Sequence, residues 1–192
     1  MQNKPLVSIL IASFNKENLV KRCIESCLKQ TYKNLEIIFV DNDSSDNSYE
    51  IAKKYKKIKV YKRKRNKYPN YEFNSFNQLD TYIFAYQKSK GKILCFLDSD
   101  DFYKKNKIQE SVNFFLKNKN NILFDKPIIY FNKNNNYKSK EYDYNYKRKY
   151  LWPKFPPQSC ISIRKVFFKK MLNELAKKKF GMLTLDFRLA VL

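Results

Sequence analysis

Hydrophobic positions along the first part of the chain follow two patterns in alternation. Continuous apolar runs at residues 6–14, 35–40 and 92–97 predict strands that are buried on both faces, and a shorter run at 58–62 predicts another strand. Between these runs, apolar residues recur at helical spacing. Strands that alternate with helices favour an α/β fold, with a mostly parallel sheet flanked by helices in a single domain.

The predicted helices each carry one apolar face. In one of them Leu79, Tyr82, Ile83 and Tyr86 recur at i, i+3, i+4 and i+7, and Gly91 is expected to end the helix. The apolar positions of the other helices are Leu19, Val20, Cys23, Ile24, Cys27 and Leu28; Ile108, Val112, Phe115 and Leu116; and Phe168, Met171, Leu172 and Leu175. The second half is less regular. We expect an exposed excursion or hairpin at residues 132–150 and extended chain at 152–159, where prolines forbid a helix.

Two acidic segments directly follow predicted strands. DNDSSDNS occupies residues 41–48, and DSDD occupies residues 98–101. In sheets of parallel strands, ligands bind at the carboxyl ends of the strands. We therefore predict that Asp41 and Asp98 meet at one edge of the sheet and that a ligand site lies there.

The 192-residue chain is strongly basic. It holds 40 lysines and arginines against 18 acidic residues, which gives a formal net charge of +22. This charge would attract nucleic acid, an anionic membrane or a phosphorylated ligand, and it does not choose among them. With 43% hydrophobic residues, the chain is long enough and apolar enough to form one folded domain.

Missing residue types exclude several chemistries. The chain has no histidine, which rules out Ser-His-Asp and Cys-His catalysis and histidine-based zinc sites. The four cysteines form no C-x-x-C pair and are expected to be buried, reduced thiols in the cytoplasm.

The opening residues MQNKP show no signal peptide. No apolar run reaches the roughly 18 residues of a membrane span, so any membrane contact is expected to be peripheral.

The DSDD segment has three interpretations, namely a helix cap, a solvated turn or a cation site. A cap needs one aspartate, and three crowded carboxylates repel one another. An EF-hand calcium loop is excluded because Tyr103 and Gln109 stand where glycine and glutamate are required. Magnesium or manganese fits better, since these hard ions use one or two carboxylates together with substrate phosphates. The solvated turn stays open. For the 41–48 segment, a capping turn and a site for a base or ribose are both open, and the two are compatible.

Three motifs occur in order over residues 5–117, with the wording VSILIASFN, CLKQTYKNLEIIFVDNDSSDNS and SKGKILCFLDSDD. This arrangement resembles the family 2 glycosyltransferases, enzymes with the GT-A fold and a D-x-D motif. The resemblance implies a Rossmann-like sheet, with a nucleotide-sugar (donor) half at residues 1–118 and an incomplete acceptor-side half of the same domain at 119–192. It also implies a metal-dependent, inverting transfer of a sugar from a donor such as a UDP-sugar. The acceptor would be a hydroxyl of a growing bacterial surface glycan such as capsule or lipooligosaccharide.

The resemblance assigns roles to residues at the strand ends. Asp100 is the expected ligand of Mn2+ or Mg2+. The residues expected to contact the nucleotide-sugar donor are Ala12, Ser13, Phe14, Asp41, Asn42, Asp98 and Ser99. Within this set, Asp41 and Asn42 would contact the base or ribose, and Asp98 the sugar or ribose. Asp186, in LTLDFRLAVL, takes the position of the catalytic base, with a helix-capping aspartate as the competing interpretation.

The sequence departs from the family pattern at several positions. Ala12 stands where proline is usual, Asn42 replaces the second acid of a DD pair, and Leu185 replaces the glutamate before the base. TYI at residues 81–83 stands where ARN is frequent. The candidates to supply the missing charge are Arg63, Lys64 or Arg65. The chain ends on apolar residues, from which we expect a truncated domain that binds a donor and transfers sugar poorly.

The expected partners are a nucleotide sugar and a glycan or lipid-linked acceptor, without nucleic acid. We expect a cytoplasmic protein, with peripheral contact to the anionic inner face of the bacterial inner membrane as an open alternative. Two rival functions are a basic nucleic-acid-binding protein and a nucleotidyltransferase of related fold. The acidic strand ends argue against the first, because without a metal they repel phosphate. The presence of only two glycines argues against the second, which needs a Gly-rich phosphate loop.

Overall fold

The structure, a computed structural model, describes residues 4–67, 73–133, 136–141, 157–175 and 185. Its strands are β1 (Val7–Ser13), β2 (Leu35–Asp41), β3 (Lys59–Lys62), β4 (Ile93–Asp98), β5 (Ile122–Phe124), β6 (Ile128–Lys133), β7 (Asn136–Glu141) and β8 (Ile161–Arg164). Its helices are α1 (Glu17–Leu28), α2 (Ser48–Lys53), α3 (Phe73–Lys88), α4 (Lys107–Lys117) and α5 (Lys165–Leu175), and a 3-10 turn covers Gln158–Cys160.

The main sheet has six strands in the order β3-β2-β1-β4-β8-β5. The strands β3, β2, β1 and β4 run parallel, whereas β8 pairs antiparallel with both β4 and β5. The prediction of an α/β protein with a mostly parallel sheet is therefore confirmed. The strands β6 and β7 form a separate antiparallel hairpin that overlaps the start of the excursion expected at residues 132–150. Residues 142–156 lie outside the described residues.

Each face of the sheet carries its own apolar core, because side chains alternate along the buried strands. On β1, Val7, Ile9 and Ile11 enter the core that α1 and α4 cover, while Leu10 and Ala12 enter the core that α3 and α5 cover. The predicted helix faces are buried at most of their positions and half-buried at Leu19, Leu28, Ile83, Tyr86 and Leu172. Leu116 is 48% exposed at the end of α4, so the assignment of Leu116 to the apolar face is wrong. The four cysteines are buried and free.

Gly91 does not end a helix in a left-handed conformation, so this prediction is also wrong. The helix α3 ends at Lys88, and no described glycine has a positive φ. A Cβ at Gly91 would lie 2.5 Å from the backbone nitrogen of Ser8, and the Gly91 N–H donates to Ser8 Oγ at 2.8 Å. The glycine is required because the chain that enters β4 passes directly against β1.

Among the helices that the structure describes, none is both long and apolar enough to span a membrane.

Candidate functional site

The carboxyl ends of β1, β2 and β4 lie side by side, as predicted. In the sheet register Ser13 stands opposite Asp41 on one side of β1, and Ala12 stands opposite Asp98 on the other. The two acidic segments, 57 residues apart in the chain, therefore flank the same strand end. This geometry follows from the parallel sheet, whose strands all end at one edge.

A cavity of about 410 Å³ opens at this edge. The strand ends line it with Ala12, Ser13, Phe14, Asn42, Asp98, Ser99 and Asp100. These residues are seven of the nine singled out in the sequence. Asp41 does not line the cavity, and Asp186 lies outside the described residues. We call this space the strand-end cavity.

Ser13 carries a hydroxyl that the fold leaves unused. The residue is 3% exposed, and in the described part of the chain Ser13 Oγ has no hydrogen-bond partner. A buried polar group without a partner costs free energy, so its presence usually has a functional reason. Since Ser13 lines the strand-end cavity, its hydroxyl is available to a ligand there.

The DNDSSDNS segment is divided between the turn and the cavity. Asp46 accepts hydrogen bonds from the backbone N–H groups of Ser48 at 2.9 Å and Glu17 at 3.0 Å, which ties the starts of α2 and α1 together. Asp41 is fully buried and accepts the backbone N–H of Ser44 at 2.9 Å. The capping-turn interpretation therefore holds for the end of the segment, while Asn42 faces the cavity.

Asn42 and Arg65 connect the cavity to the chain after β3. Asn42 Oδ1 accepts a hydrogen bond from the Arg63 guanidinium at 2.9 Å, and Arg63 also pairs with Asp80 at 3.4 Å. Arg65 lines the cavity, with its guanidinium 3.7 Å from the centre of the Phe14 ring. Of the three basic residues considered as a substitute for the missing family arginine, Arg65 is therefore the one at the cavity wall.

The three acids of the DSDD segment converge. Carboxylate oxygens of Asp98, Asp100 and Asp101 lie within 4.8 Å of one another. This spacing allows oxygens from more than one acid to reach the same ion, and carboxylate oxygen is the ligand that hard cations such as Mg2+ and Mn2+ prefer. The residues present therefore fit a divalent cation of this class.

The three acids differ in their partners. Asp98 accepts hydrogen bonds from Gln78 at 3.0 Å and Tyr82 at 2.7 Å on Oδ1, and from Gln158 at 2.7 Å on Oδ2. Burial, together with the nearby charges of Asp100 and Asp101, raises the pKa of Asp98 to about 7, while the Gln158 and Tyr82 hydrogen bonds act in the opposite direction.

Asp100 and Asp101 have other surroundings. Asp100 forms an ion pair with Lys16 at 2.7 Å, and the two side chains are 40% and 39% exposed. Asp101 accepts a hydrogen bond from Ser159 Oγ at 2.6 Å. Burial raises the pKa of Asp101 above its usual value, with the Ser159 hydrogen bond acting in the opposite direction.

Several residues of this site carried no recognisable signal in the sequence. Tyr82 fitted the apolar face of α3, yet its hydroxyl reaches Asp98. Gln78 is one helical turn away on the same side of α3. Gln158 and Ser159 follow a proline-rich stretch far along the chain, and only the pairing of β8 with β4 brings them to the acids.

A second cavity, of about 490 Å³, adjoins the acidic segment. It shares Asp100 with the strand-end cavity and includes Asp101, Phe102 and Arg22, whose guanidinium lies 4.3 Å from the centre of the Phe102 ring. Lys126 and Pro157, from the second half of the chain, also line it. We call it the second-half cavity.

The parallel sheet and the acidic cavity at its strand ends are those of an α/β protein that binds its ligand at this edge, and comparison with known sequences identifies its family. The family described as "Glycosyl transferase family 2" matches residues 8–176. The chain belongs to this family.

Curated relatives give a narrower context. The chain is 37% identical over 109 residues to the UDP-Glc:alpha-D-GlcNAc-diphosphoundecaprenol beta-1,3-glucosyltransferase WfaP of Escherichia coli, covering 57% of this chain and 41% of the relative. It is 35% identical over 119 residues to WfgD of the same organism, which has the same described activity, covering 62% of this chain and 44% of the relative. The chain therefore spans less than half the length of these relatives.

Solved structures share the fold. Staphylococcus aureus TarS 1-349 aligns with a TM-score of 0.61 at 18% identity, covering 88% of this chain and 49% of that one. The mannosyltransferase PcManGT of Pyrobaculum calidifontis, in complex with GDP-Man and Mn2+, aligns with a TM-score of 0.50 at 16% identity, covering 63% of this chain and 35% of that one. At these identities the similarity supports the GT-A type of fold.

Proposed function

We propose that the chain acts as a metal-dependent, inverting glycosyltransferase that uses a nucleotide-sugar donor, with a UDP-sugar as the first choice. The observation that carries this proposal is the strand-end cavity. Seven of the residues singled out in the sequence line it, and the three carboxylates of the acidic segment converge beside it. The two curated relatives described above are named for a UDP-Glc donor, which supports the choice of uridine.

The donor nucleoside would bind against the ends of β1 and β2. Ser13 offers an unused hydroxyl and Phe14 offers a 37% exposed ring. Asn42 also lines the wall, with its amide oriented by Arg63 and by the Asn77 carbonyl. A hydroxyl-rich ribose and a flat base match these hydrogen-bonding and ring surfaces. We keep Asp41 as a donor residue only as a prediction, since its carboxylate is buried behind the cavity lining.

The diphosphate would lie between the acids and two cations of the cavity wall. Lys16 and Arg65 both line the cavity, and the exposed ion pair of Lys16 with Asp100 is of the kind that contributes little to stability. Lys16 is therefore able to exchange Asp100 for a phosphate at small cost. Asp100 would hold a divalent cation, with Asp98 directed at the sugar or ribose. A bound Mn2+ or Mg2+ would neutralise charge on the diphosphate leaving group.

Transfer requires a base and an acceptor. We propose that the Asp186 carboxylate accepts the proton of the acceptor hydroxyl as its oxygen bonds to the anomeric carbon and the bond to the diphosphate oxygen breaks, with inversion at that carbon. The second-half cavity is the proposed acceptor side, because it adjoins Asp100 and offers the Phe102 ring and charged groups that suit a sugar.

The acceptor would be a glycan or a lipid-linked sugar. The relatives WfaP and WfgD are named for transfer to GlcNAc-diphosphoundecaprenol, which supports a lipid-linked acceptor in surface-glycan assembly. We place the protein in the cytoplasm and keep peripheral contact to an anionic membrane as an open alternative. The net charge of +22 favours such contact. We propose no nucleic-acid partner, since the carboxylates at the site disfavour a bare phosphate backbone.

A thermal-shift screen of nucleotide sugars in the presence of Mn2+ tests this function. We expect one nucleotide sugar, most directly a UDP-sugar, to raise the melting temperature and free UDP to compete with it. Single-stranded RNA is the comparison ligand. RNA that displaces every nucleotide sugar, with tight and salt-sensitive binding, would replace the glycosyltransferase proposal with the nucleic-acid-binding one.

A further inference from the structure

The turn at Gln158–Cys160 reaches the acidic segment from about 60 residues later in the chain. The strand β8 follows this turn and pairs antiparallel with β4, with Ser162 opposite Cys95. Residues just before β8 therefore lie beside the residues at the end of β4. The turn is fixed by bonds of its own, since Cys160 N–H donates to the Pro157 carbonyl at 2.7 Å and Asp125 N–H donates to the Cys160 carbonyl at 2.9 Å.

Gln158 completes the set of donors around Asp98. Its Nε2 group donates to Asp98 Oδ2 at 2.7 Å, while Gln78 and Tyr82 donate to Oδ1. Both oxygens of Asp98 are thus oriented by neutral donors. Gln158 is 5% exposed, and among the described residues its Oε1 atom has no hydrogen-bond partner. Burying this amide leaves an acceptor unsatisfied, so the fold itself does not explain why a glutamine is present.

Ser159 links the two outer acids of the segment. Its Oγ accepts the backbone N–H of Asp98 at 3.0 Å and donates to Asp101 Oδ2 at 2.6 Å. The hydroxyl therefore uses its one proton on Asp101 and a lone pair on the Asp98 backbone. Ser159 is 8% exposed, so water competes weakly for these bonds. One side chain thus sets the distance between Asp101 and the end of β4.

The turn supplies partners to Asp98 and Asp101 that differ in charge from the partner of Asp100. Three carboxylates within 4.8 Å repel one another, and they would spread apart without support. Neutral donors hold Asp98 and Asp101 without adding positive charge that would compete with a metal ion. Asp100 is instead paired with the exposed Lys16, a partner that can leave. Side chains that fix the carboxylates around a metal site typically affect metal affinity.

We propose that Gln158 and Ser159 are positioning residues, which fix Asp98 and Asp101 so that the acidic segment binds a divalent cation through Asp100. This inference rests on the proposed function and concerns the metal affinity of the same site. A turn from the second half of the chain would thus orient acidic residues of the donor half. Neither residue is a catalytic residue, since each acts through an aspartate.

Manganese titration followed by electron paramagnetic resonance tests the proposal, because the signal of free aqueous Mn2+ is lost on binding. The measurement is made on the full chain with saturating UDP. Threonine and valine have nearly the same shape, but only threonine carries a hydroxyl. Comparing Ser159→Thr with Ser159→Val therefore isolates the effect of the hydroxyl. We expect Ser159→Val to weaken Mn2+ binding about tenfold, as is typical for loss of such support, while Ser159→Thr retains most of it. Gln158→Met, which keeps the side-chain length, should also weaken it about tenfold.

Melting temperatures in EDTA separate this effect from a loss of folding. Gln109→Met is the matched control for glutamine, since Gln109 lies on α4 and bonds only to Asn113 among the contacts described for it. Ser159→Ala, the smaller change, replaces the Thr and Val pair if the added methyl group itself lowers the melting temperature. Unchanged Mn2+ affinity in Ser159→Val, Ser159→Ala and Gln158→Met would overturn the positioning role. Wild-type protein that binds neither UDP nor Mn2+ would instead overturn the proposed function, and this inference with it.

Discussion

Ser8 and Ser13 lie on the same strand and show how one residue type serves two purposes. Ser8 is fully buried, donates to Glu36 at 2.7 Å and accepts from Gly91 N–H at 2.8 Å. Ser13 is almost as buried, yet its hydroxyl has no hydrogen-bond partner among the described residues. The Ser8 hydroxyl therefore stabilises the fold, whereas Ser13 lines the strand-end cavity.

Alanine substitution should therefore lower the stability of the protein at Ser8 and its affinity for UDP at Ser13. Ser8→Ala leaves the Gly91 N–H without its best acceptor, and we expect it to lower the free energy of unfolding by about 1–3 kcal/mol. Ser13→Ala removes a hydroxyl that bonds to nothing in the free protein, so the free energy of unfolding should stay within about 0.5 kcal/mol of wild type. The affinity for UDP should fall in Ser13→Ala. Urea denaturation measures the free energy of unfolding, and calorimetry measures the affinity for UDP. A Ser13→Ala protein with unchanged UDP affinity would contradict the assignment of Ser13 to the donor site.

The three acids of the D-x-D segment also differ at the level of single residues. The sequence predicted that they gather at a strand end, because that follows from topology. It could not predict that Asp98 is held by three donors and Asp100 by a lysine, because those partners come from α3, the residue before α1 and the turn before β8. Such contacts depend on tertiary packing and leave no periodic pattern.

At the scale of elements, continuous apolar runs were sufficient to predict the central strands. The bounds of β1, β2 and β4 agree with the predicted runs to within about one residue, because strands buried on both faces must be apolar at every position. The strands β5 and β8 were missed. They have three and four residues, and they are stabilised by antiparallel pairing with partners far along the chain. Gly91 was misassigned for a similar reason, since its close neighbour is Ser8.

Glu36 joins four segments of the fold. It accepts hydrogen bonds from Ser8 on β1, from Lys59 on β3 at 2.7 Å, and from the backbone N–H groups of Lys90 and Gly91 before β4. Burial alone would raise the pKa of Glu36, but these hydrogen bonds and the Lys59 charge lower it below its usual value. The ionised carboxylate therefore stabilises the sheet.

The depressed pKa of Glu36 predicts how this stabilisation depends on pH. A carboxyl whose pKa is lower in the folded state stabilises the protein above the pKa it has in the unfolded chain, and this contribution is lost as the pH falls through the folded pKa. Glu36→Gln should thus cost about 1–3 kcal/mol of unfolding free energy at pH 7 and progressively less below pH 4. Urea denaturation across this range measures it. Glu50→Gln, an exposed acid on α2, is the control, and a cost for Glu36→Gln that does not change with pH would contradict this account.

At the scale of the whole molecule, the excess of positive charge and the acidic site are complementary. A net charge of +22 attracts polyanions to the whole surface, whereas the carboxylates of the acidic segment would repel a diphosphate that arrives without a cation. Lys16 and Arg65 bring part of the general positive charge to the cavity wall. The molecule is therefore expected to admit an anionic donor together with a metal ion.

Calorimetric titration of UDP with Mn2+ present and with EDTA present tests this central claim most directly. Wild-type protein should bind UDP well with Mn2+ and at least about tenfold more weakly with EDTA, because a cation held by Asp100 would offset the repulsion between the carboxylates and the diphosphate. Asp100→Asn should lose the manganese-dependent part, with an unchanged melting temperature in EDTA. Glu50→Gln, which removes another exposed acid paired with a lysine, should bind UDP like wild type. Equal UDP affinity with Mn2+ and with EDTA in the wild-type protein would contradict the account.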